Sequence, residues 1–130
     1  MNQKQYCTQQ LQNLAHEVSQ QAPFAEANEE LPLTESDQRF LDTLTHLAAP
    51  GTPHDESFFE QGQWLIGQSV ANQAHLTALI PRDLFWYFGG DCLHYMPDEE
   101  ISKFQQLEEA CYDKESNDYQ EERARIFGLH

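Results

Sequence analysis

Positive charge is what this chain has least of. Seven Lys and Arg stand against 22 Asp and Glu, a formal net charge of −15 over 130 residues. Nucleic-acid backbones are gripped by Lys and Arg, and anionic membrane surfaces attract basic segments, so both partner classes are set aside on charge. A basic protein or a cation is what such a chain attracts, although a high net charge also serves solubility alone. Cysteine is nearly as scarce. Cys7, Cys92 and Cys111 are far apart and none has zinc-finger or redox spacing. The opening MNQKQYCTQQLQNLAHEV lacks the uninterrupted apolar core of a signal peptide. No apolar run approaches transmembrane length, and a cytoplasmic location with reduced thiols is expected.

Catalytic signatures are missing too. There is no Walker loop, GxGxxG, GxSxG or HExxH. None of the histidines (His16, His46, His54, His75, His94, His130) stands three or four residues from another, and Glu-x-x-His is absent. Among carboxylate pairs three apart, Glu26/Glu29 and Glu115/Asp118 fall in weakly patterned segments, poor scaffolds for a rigid metal cage. No cofactor, metal or catalytic set is therefore expected.

What is present is helical patterning. The length fits a single domain, residues 1–130, and aromatics at 12% supply a core that disordered chains lack. Cys7, Leu11, Leu14, Ala15, Val18 and Ala22 mark a first helix that Pro23 stops. Thr34 reads as the N-cap of a second, with the stripe Phe40, Leu41, Leu44, Leu47 and Ala48 ended by Pro50-Gly51-Thr52-Pro53. A third opens near Asp55 or Glu56 and carries Phe58, Phe59, Gly62, Leu65, Ile66, Ser69, Val70 and Ala74, where small Gly62 and Ser69 admit a close neighbour. Pro97-Asp98-Glu99-Glu100 opens the last helix. If unbroken over 97–127 it is about 46 Å long, more than so small a domain covers.

The densest stretch is LIPRDLFWYFGGDCLHYMP, residues 79–97. Residues 81–88 read as a short helix closed by Gly89 in the left-handed conformation. No partner strand is evident for a β alternative. The expected fold is all-α, about five helices packed around this central aromatic helix.

Candidate binding residues follow from the same stretch. Asp91, Cys92 and His94 could form a nucleophile–base set or a metal site, though a buried thiol beside a turn histidine is the plainer reading. Four consecutive rings cannot all face one side of a helix, so Trp86 or Tyr87, if exposed, marks a binding surface, as does Trp64 off the third helix's stripe. Residues 98–122 hold ten Asp or Glu against Lys103 and Lys114. Such a run is a solvated face or an interaction face for a basic protein.

The function expected is a non-enzymatic protein-binding or regulatory module. The rivals are a small metal-dependent hydrolase using Asp91, Cys92 and His94, and an inhibitor or DNA mimic that binds a basic protein. A homodimer is also expected. It would hide Tyr112, Tyr119, Ile126 and Phe127 on the long last helix and use the small residues Gly62, Gly67 and Ser69 of the third.

Overall fold

The computed structural model describes residues 1–112 and 118–128. No strand occurs among them; the fold is all-α. No helix among them is long and apolar enough to cross a membrane.

Local chemistry explains where each helix begins. Asn2 and Gln5 close a capping box at the start of α1 (Gln3–Ser19): each side chain accepts from the other's backbone N–H, at 2.8 and 2.9 Å. Thr34 Oγ1 accepts from Asp37 N at 3.1 Å and starts α2 (Glu35–Ala48). Asp55 does the same for α3 (Glu56–Asn72), accepting from Phe58 N at 3.0 Å. The stripes read from the sequence are the buried ones: Cys7, Leu11, Leu14 and Val18 on α1, Phe40, Leu44 and Leu47 on α2, and Phe58, Leu65 and Ile66 on α3. Helix α1 stops three residues before Ala22, its last turn closed by Gln20 and Gln21 N–H groups donating to Glu17 and Val18 carbonyls. After α3 a four-residue helix, α4 (Ala74–Thr77), leads to Pro81.

Helix α5 (Arg82–Phe88) is the expected central element and packs on α1, α3, α6 and the 3-10 helix that follows it. Phe85 and Phe88, three residues apart, share the buried face, while Trp86 and Tyr87 are half-buried on its flanks. Gly89 ends the helix at φ 64°, ψ −146°. The positive φ agrees with the sequence reading, but ψ lies outside the left-handed helical region, so the chain exits extended and turns into a 3-10 helix, Gly90–Tyr95.

The long last helix is a correction. Helix α6 (Asp98–Tyr112) and helix α7 (Tyr119–Phe127) are separate, and Asp118 has extended backbone with its carboxylate capping Gln120 and Glu121. The two helices pack on each other as a hairpin, with the Phe104 and Phe127 ring centroids 4.8 Å apart. Tyr119 is thereby buried, and Ile126 and Phe127 rest against the core. Residues 113–117 lie outside the described residues; they include 115–117 of the stretch 115–118 where the sequence pattern weakens, and with them Glu115 of the Glu115/Asp118 pair. The small-residue face of α3 is used inside the chain as well. Phe88 lies directly on Gly62, and Ser69 is buried with its hydroxyl donating to Ile66 O. Of the residues that suggested a dimer, Gly62, Ser69, Tyr119, Ile126 and Phe127 are packed within the chain, whereas Tyr112 is 88% exposed and Gly67 faces open space.

Gly62 and Gly67 make a paired test. A Cβ on Gly62 would sit 2.1 Å from the Phe88 ring, whereas one on Gly67 meets nothing within 4 Å. Gly62→Ala is expected to lower stability by about 1–3 kcal/mol through overpacking. Gly67→Ala should raise it by about 0.5–1 kcal/mol from helix propensity. Urea melts of the two variants check both signs.

Candidate functional site

The site region is assembled by one buried ion pair. Asp83, on the first turn of α5, has a fully buried side chain. Arg123 of α7 reaches it with a forked guanidinium: Nε donates to Oδ2 at 2.8 Å and Nη2 to Oδ1 at 2.7 Å. The Tyr119 hydroxyl donates to Oδ2 at 3.1 Å. Tyr119 packs on Tyr6 of α1, ring centroids 5.0 Å apart, and Arg123 lies over the Tyr6 and Phe127 rings. The hydrogen bonds to Asp83 push the Arg123 pKa up, and burial pushes the Tyr119 phenol up, helped by the Asp83 charge. Helix α7 is thus clamped to α5 and α1. Neither Asp83 nor Arg123 is picked out as functional from the sequence. The one signal there is a lone acid inside the apolar run LIPRDLFWYF.

Docking α7 this way leaves an open cleft of about 500 Å³ lined by Gln3, Glu108, Glu109, Cys111, Tyr112 and Tyr119. Tyr112 is 88% exposed at its mouth. Burial raises the Cys111 thiol's pKa, and the nearby carboxylates of Glu122, Asp118 and Glu108 raise it further. The thiol is held protonated in an anionic setting, the reverse of a reactive cysteine's surroundings.

The residues singled out in sequence do not converge. The Trp86 indole stacks on Phe104 at 5.8 Å, and its Nε1 donates to Glu108 Oε1 at 2.8 Å, beside the cleft. Tyr87 faces the other way. Its hydroxyl is 2.6 Å from His54 Nδ1, and burial pushes the phenol up to about 12. Trp64 lies under the Arg39 guanidinium, 4.2 Å from it, on the α2–α3 surface. Asp91 and His94 stand in solvent, their side chains 99% and 81% exposed and 3.9 Å apart, while Cys92 is buried with its thiol pushed up to about 11. The reason is geometric: residues three apart eclipse in a 3-10 helix, so 91 and 94 share the outer face and 92 takes another. No group of three or more His, Cys, Asp or Glu side chains placed to hold a metal ion occurs among the described residues.

His54 is the titratable group sequence reasoning passed over. Its ring stacks on Phe58 at 3.9 Å, and Nε2 lies 3.5 Å from Thr8 Oγ1. The Thr8 hydroxyl already donates to Lys4 O at 2.9 Å, and the tautomer with its proton on Nε2 leaves Nδ1 to accept from the Tyr87 hydroxyl. Burial, and then the Lys4 charge, lower the His54 pKa.

The chain belongs to the PA2817-like family, whose pattern it matches over residues 1–127. No curated protein matches it, and no solved structure does.

Two outcomes are expected. Arg123→Met strands a buried carboxylate and should cost about 3–5 kcal/mol, whereas Asp83→Leu combined with Arg123→Met should regain most of that loss; denaturant midpoints of the two variants decide it. Because the folded state lowers the His54 pKa, its contribution is intact above the unfolded value near 6.5 and is lost as pH falls through the lower folded value. Unfolding curves between pH 7.5 and 5 should therefore show a decline that His54→Gln flattens.

Proposed function

We propose that this protein is a non-enzymatic binding module whose partner is a basic protein. One observation carries the reading: the arginines are already engaged within the chain. Arg123 is bound to Asp83, Arg82 to Glu100 and the Tyr95 carbonyl, Arg125 to Glu122, and Arg39 lies on Trp64. Even if every one of the seven cations neutralised an acid, 15 of the 22 carboxylates would remain unmatched. Many are exposed, among them Asp98, Glu99, Glu108, Glu109 and Glu121 on the α6–α7 hairpin. Surface potential of one sign speeds encounter with partners of the opposite sign and rejects those of the same sign. The nucleophile-and-base alternative at Asp91, Cys92 and His94 has less support, because the thiol is turned into the core away from the histidine.

Cross-linking and capture from the cells that make the protein, compared at low and high salt, tests this. The expected result is one or a few proteins of high isoelectric point whose recovery falls as salt rises. Recovery of acidic or neutral partners only, or of background only, sinks the proposal.

A further inference from the structure

The cleft between the end of α6, the start of α7 and the first turn of α1 has the chemistry of an arginine receptor. We infer that it is where the basic partner docks, and that the anchoring group is an arginine side chain stacked on Tyr112 and paired with Glu108 and Glu109. This rests on the binding function proposed above and names the surface that performs it.

Three features of the cleft fit that occupant. The first is shape and polarity: about 500 Å³ lined by Cys111, Tyr112 and Tyr119 with Glu108 and Glu109 beside them accommodates an aliphatic stem with a charged head. The second is pre-organisation. Trp86 Nε1 donates to Glu108 Oε1 at 2.8 Å, and the indole is itself stacked on Phe104, so this carboxylate is oriented before any partner arrives. The third is the bare Tyr112 ring, 88% exposed, the most exposed of the large apolar side chains among the described residues. A guanidinium is planar and weakly hydrated, stacks on aromatic faces and pairs bidentately with carboxylates; an ammonium does this poorly. The charge around the cleft is negative beyond its walls, with Asp118 and Glu122 close enough to act on Cys111. Glu122 is engaged by Arg125, and the Asp118 carboxylate by the Met1 amino group and the capping N–H groups of Gln120 and Glu121. Among the described residues, Glu108 and Glu109 are the exposed carboxylates lining the cleft itself.

Trp86 makes the test direct. The chain has two tryptophans, so Trp64→Phe leaves Trp86 as sole reporter beside Glu108. The full chain carrying that change is titrated at low salt with an acetylated, amidated Gly-Arg-Gly-Arg-Gly peptide and with its lysine and citrulline counterparts. Expected are a saturable change in Trp86 emission with the arginine peptide, about tenfold weaker binding of the lysine peptide, and no response to citrulline. Glu108→Gln with Glu109→Gln should weaken the arginine peptide at least about tenfold with an unchanged circular dichroism spectrum, since Gln keeps an acceptor for the Trp86 indole. Tyr112→Ser, at an exposed position, should weaken it several-fold. Equal binding of the lysine peptide reduces the effect to diffuse charge attraction and overturns the inference. Undiminished binding to the double variant, or no saturable response to any peptide, does so too. The two proposals fail separately. A captured basic partner that binds wild type and double variant alike leaves the binding function standing and removes the cleft. Absence of any basic partner removes the function, while the titration still judges the cleft.

Discussion

The Asp83–Arg123 pair is the interaction on which the outer half of the molecule depends. A carboxylate with no solvent contact is tolerated only when its charge is matched and its lone pairs are filled. Asp83 is on the central helix α5, so its partner must come to it. The guanidinium fork and the Tyr119 hydroxyl satisfy it together. That requirement turns the chain back on itself, sets α7 against α6 and buries the Tyr119 ring against Tyr6. An apolar residue at position 83 would pack the same volume without specifying which helix covers it. The ion pair contributes direction more than net stabilisation, because desolvating two charges consumes much of what their attraction returns.

The scarcity of cations shapes the surface as well. Arginines are few, and most are engaged within the chain. Arg123 meets a buried carboxylate, Arg82 links α5 to Glu100 and the Tyr95 carbonyl, and Arg39 covers the Trp64 ring. Engaging the arginines within the chain and leaving acids exposed on the hairpin puts unmatched negative charge where the α6–α7 cleft opens. The aromatic residues of α5 divide in a similar way. Phe85 and Phe88 hold the core, and Trp86 and Tyr87 reach polar partners, Glu108 and His54, on opposite flanks. Tryptophan and tyrosine suit such boundary positions because each has a large apolar ring and one polar atom.

Most of the helical plan was legible in the sequence, because caps and stripes are local. Thr34 and Asp55 need only the backbone three residues on, Pro97 and Gly89 act through their own φ, and a 3.6-residue repeat declares its buried face without reference to a partner. Gly62 was legible as a close-approach site, though not that Phe88 would fill it. The hairpin was missed because periodicity on either side of residues 113–118 is compatible with one helix, and the pull that reverses the chain comes from Asp83, 36 residues before Tyr119. The candidate site was less legible than the fold. Asp91, Cys92 and His94 are neighbours in sequence, but the three-residue turn of a 3-10 helix sends the thiol inward and the other two outward. Chain composition and local pattern by themselves determined an acidic, all-helical protein with an aromatic helix at its centre. Tertiary structure alone decided which acid is buried, which rings stay exposed and where the cleft opens, since those depend on residues far apart in the chain meeting at distances that no local pattern encodes.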